Sequence, residues 1–478
     1  MKLRDVLRGV PVRGAIADVD VTAVTADSRL VTPGALFVAI PGLQTDGAKF
    51  IDQARAKGAA AVISSAEVDD PRAALALIAA NFYGRPAEKL SLVGVTGTSG
   101  KTTTAKMIES IFDAGREPAG LVGTIEYRAG DERLMADRTT PDAVVLQQWF
   151  AKMVDAGVRH AVMEVSSHAL ALKRTYGIRF AAAVFTNLSQ DHFDFHKNFE
   201  DYFQAKRILF TQIDGPERTV INADDPYGQR LRREIGGGMT FGREGDVRPA
   251  KDFEISTRGL HGALHTPAGD VRVDSPMLGL PNLYNWMAAA GAAIVVGVPL
   301  PQIEAGIRAL QSVRGRFETV IAGGGPAVIV DYAHKPDALE KLLHAVRNLA
   351  GDKKITVLFG CGGDRDKDKR PKMGAIAARL ADRVVLTSDN PRSEKPEAIL
   401  DDIERGMSGA RNYTRISDRR EAIARTIGEA SDDDVIVIAG KGHESYQVVG
   451  DQILHFDDRE EAELALKKKH EKMTTKSV

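Results

Sequence analysis

Short apolar runs alternate with longer amphipathic ones along most of this chain. "LFVAI" (36–40) and "AAVIS" (60–64) read as strands with a helical run from Ala48 to Lys57 between them, which predicts a small α/β domain. The pattern pauses at "YGRPAEKLS" (83–91), where Gly84 and Pro86 mark a boundary. Four apolar strands follow, "LVGVT" (92–96), "HAVMEV" (160–165), "AAAVFT" (181–186) and "TVINA" (219–223), separated by helical runs. That rhythm implies a largely parallel sheet. From Gly236 to Met277 the texture becomes a Gly-punctuated alternation that predicts an antiparallel meander. Two helices, "NLYNWMAAAGAAIVV" and "PQIEAGIRAL", come before a turn at "VRGRFE" (313–318). The last third restarts the rhythm with "AVIVD" (327–331), "ITVLF" (355–359), "RVVLTS" (383–388) and "VIVIAG" (435–440), a second doubly wound domain. The expected fold class is α/β in three domains, 1–88, 89–314 and 315–478.

Composition narrows the function classes. At roughly 150 residues per domain, 478 residues fit about three domains. Hydrophobic residues make 43% and charged ones 27%, a globular balance. Lys and Arg total 64 against 65 for Asp and Glu, so the net charge is −1. No nucleic-acid or membrane-surface partner is expected, and an anionic ligand needs a local site. The single cysteine, Cys361, excludes an intrachain disulfide and a multi-cysteine zinc site and fits a reducing compartment. "MKLRDVLRGV" lacks an apolar signal core, and the apolar stretch Trp286–Val298, broken by Gly291 and Gly297, is too short to span a bilayer. The basic tail "KKKHEKMTTKSV" reads as a frayed, solvated end. These features predict a cytoplasmic monomer acting on small molecules.

The sharpest local signal is "LVGVTGTSGKTTTAKMIESIF", a strand, a Gly-rich turn and an amphipathic helix. Gly97, Thr98, Ser99 and Gly100 supply backbone N–H groups that cradle phosphate oxygens at a helix N-terminus. Lys101 reaches the terminal phosphates, and Thr102, followed by Thr103, is placed to ligate Mg²⁺. Val95 stands where the eight-residue form of this loop has glycine, so the motif is the shorter G-T-x-G-K-T form. Glu164 ends "HAVMEV", where a second metal ligand belongs, although a buried, paired glutamate reads the same way. Asp191, His192, Asp194 and His196 crowd one loop, either around a metal or simply in solvent. Lys206 lies on an amphipathic helix among Phe203, Ala205, Ile208 and Leu209, where a snorkelling lysine is the structural alternative. In the last third, strands end in "DYAHKP", "GCGGDRDKDKRP", "SDNPRSE" and "AGKGHE", polar and Gly-rich loops at the edge where open α/β sheets bind ligands.

Taken in order, "GTSGKTTT", "MEVSSHAL", "TNLSQDH", "YFQAKRILF", "NLYNWMAA", "GRFE", "DYAHKP", "GCGGDRDKDKRP", "DNPR" and "AGKGHE" resemble the Mur ligases of peptidoglycan synthesis, across essentially the whole chain and including "ADSRLVTPGALFVAIPGLQTDG". The resemblance implies an N-terminal domain for a UDP-linked substrate, a central P-loop ATPase-like domain and a Rossmann-like C-terminal domain for an incoming amino acid. It implies an ATP-dependent ligase that extends UDP-N-acetylmuramoyl-L-alanyl-D-glutamate through an acyl phosphate. By the same resemblance Thr102 and Glu164 hold a first Mg²⁺, His192 a second, and Lys206 is carbamylated to serve as a ligand. Asn285, Arg316 and Asp331 match adenine and ribose contacts. Ala26, Ser28, Leu43, Gln44 and Thr45 match contacts to the UDP-linked substrate; Thr139, Thr140, Ser166 and Arg174 match its muramoyl-dipeptide. Two departures stand out: Leu172 where many relatives have glutamine, and Arg138 where some have asparagine.

Asp389, Asn390, Pro391 and Arg392 resemble the form found in ligases that add meso-diaminopimelate. That acceptor has a distal carboxylate that lysine lacks, and a guanidinium can grip it with two charge-assisted hydrogen bonds. Arg365, Gly440 and Glu444 match further contacts, with Glu444 accepting from an ammonium. A surface arginine in an Asn-Pro turn is the plain alternative for Arg392. Three other functions compete: a lysine-adding ligase of the same family, a folylpolyglutamate synthetase, and a regulatory module that hydrolyses ATP without making a peptide bond.

Overall fold

The computed structural model describes residues 1–14, 16–42, 45–115, 118–256, 258–320 and 325–476. The chain forms two compact units. The first comprises Met1–Ala250, Ala263–Arg272 and Tyr284–Ala309, and the second Lys251–Gly262, Val273–Leu283 and Leu310–Val478.

The first unit holds a three-stranded parallel sheet, Ala23–Thr25, Ala35–Val38 and Ala61–Ile63, and an eight-stranded sheet. The order of the larger sheet is Met239–Phe241, Thr219–Asn222, Ala182–Phe185, Ser91–Thr96, His160–Glu164, Ala119–Val122, Glu126–Ala129 and Glu132–Met135. Its first six strands are parallel, and the last two form an antiparallel margin. Ser91–Thr96 runs apolar because helices cover both faces of a parallel sheet. The helix Pro226–Ile235 shows the local code: Asp225 caps the N–H groups of Tyr227 and Gly228, Pro226 opens the first turn, and Gly236 closes it at φ 82°. Met239–Phe241 corrects the expected meander, which starts later. This strand pairs in parallel with Thr219–Asn222, and antiparallel pairing begins only with Arg248–Pro249. The three strands at 119–135 are short, and sequence periodicity did not reveal them.

The second unit carries the sheet Glu318–Val320, Ala327–Asp331, Val435–Ala439, Ile355–Phe359, Arg383–Leu386, Tyr413–Arg415, parallel except at its first strand. Strand alternation sorts the core into two layers. Ile329, Val357, Phe359, Val384, Leu386 and Val437 pack under Leu339, Leu343, Val346 and Met373. Val328, Val330, Leu358, Val385, Ile436 and Ile438 pack on the opposite face with Ile423, Ile427, Ala462 and Leu466. The tail differs from expectation: a helix runs from Asp458 to Lys476, because its first turns are anchored by Ala462, Ala465 and Leu466 in that core. Among the described residues no helix is long and apolar enough to cross a membrane.

Candidate active site

Gly97 sits at φ 149°, and a Cβ there would lie 1.9 Å from Thr186 Oγ1, so the turn after Ser91–Thr96 admits only glycine. Gly100, at φ 86°, is the N-cap of the helix Lys101–Asp113, and a Cβ on it would meet Asn285 Oδ1 at 2.7 Å. Asn187 braces the loop from the neighbouring strand end: its carbonyl accepts from Thr98 N at 2.9 Å and its side-chain oxygen from Ser99 N at 3.0 Å. Lys101 Nζ folds back to donate to the carbonyls of Gly97 and Thr98, both at 2.9 Å. Thr103 is buried behind the loop, and Thr104 Oγ1 donates to Asn285 Oδ1 at 3.3 Å.

Glu164 lies at the carboxyl end of its strand and is 1% exposed. Thr102 Oγ1 donates to its Oε2 at 2.9 Å and Thr124 Oγ1 at 3.0 Å, while Thr124 N donates to Oε1 at 2.7 Å. Thr139 Oγ1 lies 3.1 Å from Thr124 Oγ1. Thr140 Oγ1 donates to the Glu164 carbonyl at 2.7 Å, Ser166 N donates to Thr140 Oγ1 at 3.1 Å, and Arg174 donates to the Thr140 carbonyl at 2.7 Å. A carboxylate surrounded by hydroxyl oxygens is a hard donor set, the chemistry that Mg²⁺ takes.

Lys206 is 2% exposed, so it does not snorkel. Its Nζ donates to the Gly97 carbonyl at 2.7 Å, the same oxygen that accepts from Lys101, and lies 4.5 Å from the Tyr202 ring centroid. Burial pushes this amine well below the usual lysine range, and the Lys101 charge adds to the effect. Tyr202 OH is 3.2 Å from Thr98 Oγ1, and the His192 ring centroid is 6.2 Å from that of Tyr202. His192 has a left-handed backbone, φ 56°, and its Nε2 lies 3.3 Å from Asp191 Oδ2. His196 is buried against Tyr202, with ring centroids 5.0 Å apart, and its Nε2 lies 2.9 Å from Ser167 Oγ and its Nδ1 3.5 Å from Asp201. Among the described residues no group of three or more His, Cys, Asp or Glu side chains is assembled for a metal, so a second cation here needs a ligand of another kind.

In the second unit the polar strand ends converge. Asp331 accepts from Phe317 N and Ala333 N, each at 2.8 Å, burial raises its carboxyl pKa, and the Arg316 guanidinium stacks 4.6 Å over the Tyr332 ring. Asp389 and Asn390 are buried, and Asn390 Nδ2 donates to Glu444 Oε2 at 2.9 Å. Burial raises the Glu444 pKa, and the nearby Asp389 charge reinforces the rise. Gly440 sits at φ 115°, where a Cβ would meet Asp389 Oδ2 at 2.9 Å. Arg392 has φ 52°, a strained value for a side chain, and among the described residues its guanidinium bonds backbone carbonyls only: Gly363 at 2.9 Å and Asn390 at 3.5 Å. Pro391 is buried against Gly363, and Arg365 is exposed on the same loop cluster.

Three Mur ligase domains match this chain: the "Mur ligase family, catalytic domain" at residues 20–74, the "Mur ligase middle domain" at 95–293 and the "Mur ligase, glutamate ligase domain" at 315–442. A UDP-N-acetylmuramoyl-L-alanyl-D-glutamate–2,6-diaminopimelate ligase of Bacillus licheniformis is 45% identical over 97% of this chain and 98% of its own length. The chain belongs to the Mur ligase family. A ligase of the same name from Gloeobacter violaceus is 47% identical over 98% of this chain and 99% of its own. A solved structure of a ligase of that name superposes with a TM-score of 0.70 at 32% identity, covering 98% of this chain and 99% of that one.

Within this Mur ligase, the residues that sequence singled out around the phosphate loop form two pairs: Lys101 and Lys206 share the Gly97 carbonyl, and Thr102 donates to Glu164. Ser28 is buried and donates to Gln53 at 2.8 Å, Ala26 is partly buried, and Thr45 is exposed. Leu43 and Gln44 lie outside the described residues. Sequence reasoning missed Thr124, which bridges Glu164 to Thr139. Its only signal is a threonine just past the carboxyl end of the short strand Ala119–Val122.

Proposed function

We propose that this chain adds meso-diaminopimelate to UDP-N-acetylmuramoyl-L-alanyl-D-glutamate with cleavage of ATP to ADP and phosphate, in cytoplasmic peptidoglycan precursor synthesis, and that it works as a monomer. The observation that carries the choice of acceptor is Arg392: among the described residues no carboxylate hydrogen-bonds its guanidinium, although it stands in a strained, partly buried loop within electrostatic reach of Glu444 and Asp364. A substrate carboxylate supplies that missing partner. The relatives named above support the same reading.

The substrate carboxylate is a poor electrophile. Transfer of the γ-phosphoryl group to its oxygen makes an acyl phosphate; the acceptor amine then attacks the carbonyl carbon, loses a proton, and phosphate leaves as the amide forms. Lys101 turns from the loop carbonyls to the transferring phosphoryl group, and the Gly97–Thr103 amides hold the phosphates. By the family resemblance Asn285 in the first unit is a nucleoside contact, and so are Arg316 and Asp331 in the second. Thr139, Thr140, Ser166 and Arg174 orient the dipeptide arm of the UDP-linked substrate, which Ala26, Ser28 and Thr45 also contact. Glu444 accepts from the acceptor's ammonium, while Arg392 and Arg365 take its distal carboxylate.

Thr102 and Glu164 would hold one Mg²⁺, which when bound neutralises phosphate charge. His192 and Lys206 would hold a second. Burial holds the amine of Lys206 below the usual lysine range, which favours attack on CO₂; with loss of a proton this gives a carbamate oxygen donor. The test is ADP release from enzyme given ATP, the UDP-dipeptide substrate and each candidate amino acid. Diaminopimelate is expected to support turnover and lysine to support little. ADP release without any acceptor would point to a hydrolysing module, and dependence on a folate substrate to a folylpolyglutamate synthetase.

A further inference from the structure

One buried cation in the second unit has no part in the roles above. Lys441 follows the strand Val435–Ala439, and its side chain is 0% exposed. Its ammonium donates to Asn390 Oδ1 at 3.0 Å and stands 3.8 Å from Asp389 Oδ1 and 3.7 Å from Glu444 Oε2. Burying an ammonium is costly unless it is paired, and here burial lowers the amine's pKa while Asp389 and Glu444 oppose the shift.

The chemistry of its hydrogen-bonded partner shows what this charge achieves. The two ends of an asparagine amide have nearly the same shape, so only its neighbours decide which way it points. Asn390 Oδ1 faces two groups that can only donate, Lys441 Nζ and Val448 N, the latter also at 3.0 Å. Nδ2 is thereby turned to Glu444 Oε2, 2.9 Å away, and anchors that carboxylate. The loop carrying Asn390 is tied down as well: Gln447 Nε2 donates to the Asp389 carbonyl at 2.7 Å, and Arg392 N to the Val448 carbonyl at 3.0 Å.

We propose that Lys441 is a positioning residue for the acceptor: it fixes the Asn390 amide and, through it, the Glu444 carboxylate that receives the acceptor's amino group, and so sets acceptor affinity. The inference rests on reading Asp389–Arg392 and Glu444 as the acceptor site. Lys441 is fully enclosed and acts only through these neighbours.

K441M keeps the aliphatic stem and removes the charge. The KM for diaminopimelate should rise roughly five- to hundredfold, the range for leaving a buried hydrogen-bonding group without its partner. The KM values for ATP and the UDP-substrate should stay at wild-type level, and kcat at saturating diaminopimelate should change far less than the acceptor KM. A variant that melts like the wild type with an unaltered acceptor KM overturns the proposal, and so does a loss confined to kcat. R392A, assayed in parallel, separates two failures. If R392A loses diaminopimelate dependence and K441M does not, Lys441 has no such role while the acceptor site stands. If neither changes, the acceptor binds elsewhere and both readings fall. Should K441M not fold, the nearly isosteric N390D decides: it keeps an acceptor for Lys441 but loses the donation to Glu444, so a wild-type acceptor KM overturns the proposal.

Discussion

Two lysine amines meet on one carbonyl oxygen, that of Gly97, and their surroundings differ. Lys101 sits at the open end of a helix N-terminus, where its charge is useful to an incoming polyphosphate. K101A should leave the fold intact, since the loop is built by Gly97, Gly100 and Asn187, and should lower the ligation rate about a hundredfold or more. Steady-state kinetics beside a circular dichroism melt checks this; near wild-type turnover would remove the loop from the reaction. Lys206 is enclosed, and a charge there would be repelled by Lys101. If it serves as a carbamate, K206A should be nearly inactive and partly restored by added short-chain carboxylates, which replace the lost oxygen donors. Full activity of K206A without added acid would leave Lys206 a helix lysine and nothing more.

The loops proposed to hold the acceptor depend on staples between elements as much as on their own residues. Arg370, fully buried on the helix Lys369–Leu380, donates to Glu394 at 2.8 and 3.0 Å and to Asp402 at 2.8 Å. That pairing ties the segment after Ile355–Phe359 to the one after Arg383–Leu386. The Arg370 guanidinium holds the Glu394 carboxyl down at about 2, below its ordinary 4.5. The unfolded chain therefore binds the proton more readily, and the pair's stabilisation is complete above about pH 4.5 and lost as pH falls through about 2. E394Q should melt roughly a few degrees below the wild type at neutral pH, with the gap closing as the pH is lowered toward 2. A gap independent of pH would mean that packing, not charge, is what Glu394 contributes. The Arg392 loop supplies the companion prediction. R392A should weaken diaminopimelate binding by about 2–5 kcal/mol, as for truncating one partner of a desolvated charge pair, and should leave the weak response to lysine nearly unchanged. Acceptor titrations of ADP release measure both; a wild type that prefers lysine would refute the role of Arg392.

At the scale of the whole chain, two units with separate cores share one polypeptide. Calorimetric unfolding should accordingly give a calorimetric enthalpy larger than the van't Hoff value, where one cooperative domain would give equality. Diaminopimelate should raise the transition of the second unit, because ligands stabilise what they bind, and should not do so in R392A.

Much of this protein is legible in its sequence. Continuous apolar runs such as "LVGVT" and "VIVIAG" announce buried parallel strands, since a strand covered on both faces has no polar side to alternate with. The Gly-Lys-Thr turn and the Asp-Asn-Pro-Arg turn carry their chemistry in contiguous residues, and contiguity is what a sequence displays. Other features depend on contacts between distant segments. The three short strands at 119–135 are held by neighbours rather than by local propensity. Thr124 gains its place from Glu164, forty residues away. The environment of Lys206 follows from a carbonyl in the phosphate loop 109 residues before it, which turns an apparently snorkelling lysine into a buried amine. Lys441 bonds an asparagine 51 positions earlier in the chain. Burial and hydrogen-bond partnership are set by where the fold brings such segments together, so the tertiary structure alone decided them.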